Sequence, residues 1–223
     1  MNKNRTPLTV KSQRVLGANL IAGIPDDLPE ETAIYWNSHR DKLHAKQRKM
    51  LLDVPSVDTD PRFELIKTIG VTVPRDYVHS TRLASFAKQN QKKFYGYNDA
   101  ITDENFVNAT TRLVAGQKLQ VKVFQIVKRA DSEECLTFLK SQNAIFTGAQ
   151  GASLAYDLAG KQLPIGKWSV SFDEKEALWK DSDGGRRVPC LGRRSGGGWS
   201  FSLGCFEGGW DDVSCLLCFC DLG

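Results

Sequence analysis

Six cysteines and three histidines carry most of the reactive chemistry in this chain: Cys135, Cys190, Cys205, Cys215, Cys218 and Cys220, with His39, His44 and His79. Cys215-x-x-Cys218 has the spacing at which two thiolates share a tetrahedral zinc ion, and Cys220 offers a third ligand. The residues between them favour another reading. Cys-Leu-Leu-Cys-Phe-Cys has no Gly or turn residue to form a metal knuckle, and it fits a buried strand in which Cys packs as a small hydrophobe. His39 and His44 are five apart, whereas two ligands on one helical face want a spacing of four. His79 precedes a helical segment and suits a neighbour of its cap. A Cys–His pair distant in sequence stays open as a thiol hydrolase, but no nucleophile elbow accompanies it. Gly148-x-x-Gly151 is too short to cradle phosphate and lacks a following Lys-Ser/Thr. Asp173-Glu174-Lys175-Glu176 reads as a solvated turn or helix end. The expectation is therefore a non-enzyme with no catalytic residues, no metal and no cofactor.

Bulk composition narrows the class further. The 223 residues are 41% hydrophobic and 25% charged, which is globular material for one large domain or two small ones. The net charge of +4, from 30 basic and 26 acidic residues, permits contact with nucleic acid without arguing for it. No apolar run follows the basic N-terminus, and no stretch approaches the roughly 20 apolar residues that span a bilayer. A soluble cytoplasmic protein with reduced thiols is expected.

Capping signals and periodicity place the elements. Asp26-Asp27-Leu28-Pro29-Glu30-Glu31 starts a helix, because acids and Pro suit a first turn whose amides are unpaired. A second helix is expected over 38–52, with Arg40, Lys42, Lys46, Arg48 and Lys49. This basic helix (39–49), together with Lys88, Lys92 and Lys93, is the feature that would suit a nucleic-acid-associated accessory protein. It lacks aromatic interleaving, and a solvated face explains it more simply. A linker follows at 53–61. Residues 63–73 suggest a helix then a strand. Residues 79–91 suggest a helix with Leu83, Phe86 and Ala87 inward, and Thr102 suggests another helix start. Leu119, Val121 and Val123 alternate with polar residues as in a half-buried strand. Asp131-Ser132-Glu133-Glu134 opens a helix. Gly148-Ala149-Gln150-Gly151 breaks the chain before another, with Leu154, Ala155 and Leu158 inward. Strands are expected at 168–172, 188–191, 199–206 and 215–222.

Composition shifts abruptly at Asp181. From there to Gly223 the chain has no Lys, Gln, Asn or Met, yet it holds five of the six Cys and ten of the 19 Gly. Leu191, Trp199, Phe201, Leu203, Phe206 and Trp210 punctuate the segment, with small or varied residues between them. In Trp199-Ser200-Phe201-Ser202-Leu203, a period of two puts the apolar residues on one face and both Ser on the other. Such a pattern suits an apolar frame with interchangeable outward positions, and recognition surfaces commonly sit on rigid supports of this kind.

In these features the chain resembles the variable proteins of diversity-generating retroelements. In that family a reverse transcriptase copies a template with errors at adenines, so Asn codons become Asp, Gly, Ser, Arg or Cys codons, among others. The resemblance implies an exposed, non-catalytic ligand site at Gly185, Arg186, Cys190, Gly192, Arg193, Arg194, Ser200, Ser202, Cys205, Gly208, Gly209, Asp211, Asp212 and Ser214. Trp179, Trp199, Glu207 and Trp210 lie outside the reachable set and would be invariant. It also implies an α+β fold with a C-type-lectin-like C-terminal domain: a strand, two helices, and a closing strand that pairs back onto the first. Lys118–Val127, helices near 132–142 and 150–160, and the strand 215–222 match that order. The expected organisation is a helical N-terminal region and linker (1–60), a mixed helical segment (61–115) and the lectin-like variable domain (116–223). Trp210-Asp211-Asp212 is similar to one half of a lectin calcium site. Val188-Pro189-Cys190 supplies no side-chain oxygen for the other half, so no calcium is expected. The partner would be a protein or peptide, with Arg193 and Arg194 as anchors.

Overall fold

A computed structural model of the chain describes residues 29–39, 42–44 and 60–222, within two compact units, 1–56 and 57–223. In the first unit, Glu30–Ser38 form α1, with Glu30 and Glu31 in its first turn, and residues 42–44 are helical. Arg40, Lys46, Arg48, Lys49 and the linker before Asp60 lie outside the described residues. So does most of the expected helical N-terminal region.

The second unit is α+β. Its strands are β1 (Phe63–Thr72), β2 (Phe94–Tyr97), β3 (Lys118–Ile126), β4 (Ala130–Asp131), β5 (Lys167–Val170), β6 (Arg187–Arg193), β7 (Trp199–Cys205), β8 (Gly209–Trp210) and β9 (Ser214–Asp221). Its helices are α2 (Arg82–Asn90), α3 (Ser132–Ser141) and α4 (Gly148–Ala159). Seven strands make one mixed sheet in the order β1-β3-β9-β5-β6-β7-β2, and β4 and β8 form a separate two-stranded ribbon. β9 pairs antiparallel with β3 from Leu119↔Asp221 to Gln125↔Cys215, and parallel with β5.

The sheet has a core on each face. Leu119, Val121, Val123, Leu191, Phe201, Leu217 and Phe219 meet Leu83 and Phe86 of α2 and Ala152 and Ala155 of α4. Phe124, Ile126, Val188, Cys190, Leu216 and Cys218 meet Cys135, Leu136 and Leu139 of α3, with Phe172, Phe206 and Trp210. Each fully buried large apolar side chain contributes roughly 1.5–3 kcal/mol of burial energy. α3 is held at its start by a capping box: Asp131 accepts from the Glu134 amide at 2.8 Å, and Glu134 accepts from the Asp131 amide at 2.9 Å.

Several expectations change in this context. Phe63–Thr72 is strand throughout, and with β2 it joins the same sheet as β3, so the 115/116 boundary divides one compact unit. Thr102 does cap the Asn105 amide at 3.2 Å, but no helix follows, since the residues after it offer little helix propensity. Gly148 and Gly151 begin α4 instead of breaking the chain. Gly148 has φ +49°, and a Cβ there would sit 2.9 Å from Asp173 Oδ2; one at Gly151 would overlap Thr147. Leu158 is exposed.

The 173–176 charge run does turn, with the Ala177 amide donating to the Glu174 carbonyl at 2.9 Å and Glu176 exposed, but its first residue is not solvated. Asp173 is 4% exposed and accepts from the amides of Thr110 at 3.1 Å and Glu174 at 2.9 Å. Glu174 pairs with Lys140 at 2.8 Å, and Lys175 pairs with Glu133. Burial raises the Asp173 carboxyl to about 6.

Candidate ligand-binding groove

The β6–β7 hairpin sets the geometry. Its register pairs Val188↔Gly204, Cys190↔Ser202, Leu191↔Phe201, Gly192↔Ser200 and Arg193↔Trp199. Strand alternation then sorts the hairpin by size. Leu191 and Phe201 enter the core beneath α2 and α4, with Trp199 and Leu203 packed against it. The opposite face carries Val188 at its start and then Cys190, Gly192, Ser200, Ser202 and Gly204, these five no larger than Cys.

Two tryptophans lie across this small-residue floor. Trp168 of β5 pairs with Gly192, and a Cβ on Gly192 would fall 2.7 Å from its ring. Trp210 of β8 covers Gly204, where a Cβ would fall 2.5 Å from its ring. Trp210 is fixed from behind, because its Nε1 donates to Ser132 Oγ at 2.8 Å and β8 pairs with β4. Trp168 stays 36% exposed while its amide donates to the Val213 carbonyl at 2.8 Å. Between the rings is an open cavity of about 400 Å³. That is the lower end of the size range of small-ligand sites.

The fourteen expected ligand positions divide into five groups. Cys190, Ser202, Cys205, Gly208, Gly209, Asp211 and Ser214 line the groove. Gly192 and Ser200 belong to its floor but lie beneath the Trp168 side. Asp212 is at the rim, where its carbonyl accepts from Gln125 Nε2 at 2.6 Å and Lys167 Nζ at 2.5 Å. Gly185 and Arg186 sit in the turn before β6, where Asp181 accepts from the Gly185 amide at 2.9 Å and from Arg187 Nε at 2.6 Å. Arg186 reaches the groove indirectly: it pairs with Glu207 at 3.5 Å, and Glu207 accepts from the Cys205 thiol at 3.4 Å. Neither Arg193 nor Arg194 lines the groove: Arg193 lines a separate cleft beside Trp199, and Arg194 lies over the Tyr95 ring.

The expectation that all fourteen face solvent fails at Cys190, Gly192, Ser200 and Ser214, which are buried. At Gly192 the cause is the Trp168 ring, and Cys190 packs beside Gly204 under Trp210, so much of the outer face of β6 becomes a covered floor. Burial pushes the Cys190 thiol up to about 12, so it stays protonated near neutral pH.

The Cys215-x-x-Cys218 spacing also resolves. Cys215 faces one core and Cys218 the other, because residues three apart on a strand lie on opposite faces. Cys220 shares a face with Cys218, their sulfurs 3.8 Å apart. Burial raises Cys215 to about 11, whereas Cys218 is raised first by its hydrogen bond with the Cys220 thiol and then by burial. His79 is half-buried, and its Nδ1 meets the Tyr77 hydroxyl at 3.2 Å. No hydrogen bond joins a Cys to a His among the described residues.

Sequence reasoning missed Trp168, Gly204 and Val213 as groove residues, and it placed Trp210 only in the supporting frame. The signal for Gly204 was present, since 200, 202 and 204 continue one alternation. Trp168 gave none, because its place over Gly192 comes from pairing between distant strands.

The chain matches no protein-family model, no curated protein and no solved structure.

Proposed function

We propose that this chain is a non-catalytic cytoplasmic binding protein. It takes a short protein or peptide segment into the groove between Trp168 and Trp210, on a C-type-lectin-like domain whose C-terminal face is diversified by a retroelement. The observation that carries the reading is the small-residue floor walled by two aromatic rings. A floor of Ser, Gly and Cys leaves room for a partner's side chain, and tryptophan walls offer large, rigid contact area at low entropic cost. The order strand, two helices and returning strand, seen in β3, α3, α4 and β9, supports the lectin-like assignment.

Diversification falls on the positions that can change without moving the tryptophans: Ser202, Cys205, Gly208, Asp211 and Asp212. Gly192 and Gly204 belong with the fixed frame, since a Cβ at either would strike a ring. The binding test is a displayed library randomised at Ser202, Cys205, Gly208 and Asp211. Folded members should yield peptide binders, and Trp168→Ala should abolish their binding. Binders indifferent to Trp168 would refute the groove. Diversification is tested in the DNA: a near-copy of the 3′ end of the gene, differing mainly at adenines and beside a reverse transcriptase, is expected. A genome with neither leaves a binding domain without diversification.

A further inference from the structure

We infer that the cleft lined by Arg193 and Trp199 binds the nucleotide units of a single-stranded nucleic acid, through their phosphates and a stacked base. This cleft encloses about 730 Å³ on the far side of β6 and β7 from the peptide groove. Lys93, Lys161 and Arg193 line it, against a single carboxylate, Asp157. That carboxylate is already neutralised, since Arg82 pairs with it at 2.6 Å. Among the described residues, neither Lys161 nor Arg193 has a carboxylate partner. Arg193 is nonetheless held in place: its Nη1 donates to the carbonyls of Lys161 at 3.0 Å and Leu163 at 2.7 Å, beside the Trp199 ring at 5.7 Å. A guanidinium oriented by backbone carbonyls, with its remaining donors uncommitted, is preorganised for phosphate.

The stacking element lies at the next residue. The Arg194 guanidinium sits 3.5 Å above the Tyr95 ring, and Tyr95 is 74% exposed on β2. Tyr95 and Arg194 lie outside the lining of the cleft, one residue along the chain from the held Arg193, and a flat cation over an exposed aromatic ring there has the parts of a base-stacking platform at the end of a phosphate track. Of the two side-chain amides in the cleft, Asn90 already accepts from Lys93 Nζ at 3.0 Å, which leaves Gln162 alone to read a base edge, so sequence preference should be weak.

The experiment is anisotropy titration of the full chain with a labelled oligothymidylate of about 12 nucleotides. Salt-dependent binding is expected. Lys93→Glu combined with Lys161→Glu, both surface changes, should weaken it at least tenfold and flatten the salt dependence. Tyr95→Ala should weaken it by roughly fivefold or more while leaving the salt dependence intact. Trp168→Ala should change nothing, which separates this site from the peptide groove. ATP bound with the same variant pattern, and no tighter binding of the strand, assigns the cleft to a free nucleotide. Absence of binding at low salt overturns the inference. So does equal affinity for duplex, or indifference to the lysine and tyrosine variants in a protein that keeps its wild-type melting temperature.

Discussion

Replacing Asp173 by Asn should change the pH dependence of stability in a way that isolates one buried carboxyl. In the folded protein this group ionises near 6, against its ordinary 3.8, because burial outweighs the amides of Thr110 and Glu174 that favour the charged form. A folded-state value above the unfolded one means that the folded protein binds more protons between the two. The stabilising contribution is then complete below about pH 4 and is lost as pH rises through about 6. At roughly 1.4 kcal/mol per pKa unit, the rise from 3.8 to about 6 corresponds to about 3 kcal/mol. Surface pairs such as Arg62–Asp60 act in the opposite direction, but such a pair is worth at most about 1 kcal/mol. The clean quantity is therefore the difference between wild type and Asp173→Asn. Urea denaturation between about pH 4 and pH 8 should show the variant gaining on the wild type as pH rises, with most of the gain between about pH 4 and 6. A difference that stays constant over that range would mean that Asp173 titrates normally, and the burial argument would fail.

The remaining expectations concern the groove and its supports. Gly204→Ala and Gly192→Ala should each cost about 1–3 kcal/mol through collision with Trp210 and Trp168, whereas Ser202→Ala should stay within about 0.5 kcal/mol; thermal melts compare them. Brief treatment of the native protein with a thiol reagent should label Cys205 first and leave Cys135, Cys190 and Cys215 unmodified, as read by peptide mass spectrometry. Asp131→Ala should destabilise by about 1 kcal/mol, because the α3 capping box loses its acceptor. Trp210→Phe should cost more than loss of ring area alone, since Ser132 Oγ is left buried without its donor.

Where local signals suffice, the sequence predicts the structure well. The alternation of Leu119, Val121 and Val123 marks β3, the Asp131–Glu134 box marks α3, and Trp199-Phe201-Leu203 does share one face. The failures have a common physical source. β1 was half obscured because, at the sheet edge, five consecutive residues from Glu64 to Thr68 are exposed and hide the period of two. Asp173 looked like its charged neighbours, and only its contact with the 110 loop and the start of α4 buries it. Ser200 and Gly192 look outward by alternation, which decides the face of a strand but not what covers it. Half of the expected ligand positions line the groove, but its tryptophan walls come from pairings that no local window contains.

The position of β9 has a consequence for how the molecule assembles. Last of the strands in sequence, it lies between β3 and β5 and is hydrogen-bonded to both. Until it arrives, β1–β3 and β5–β6–β7–β2 are two half-sheets with unpaired edges and uncovered apolar faces. Folding must then wait for a long-range closure, a topology associated with slow rates and with exposure to misassociation on the way. A nascent chain stalled before Ser214 would present two sticky borders. Chaperone dependence during synthesis should fall sharply once that strand emerges.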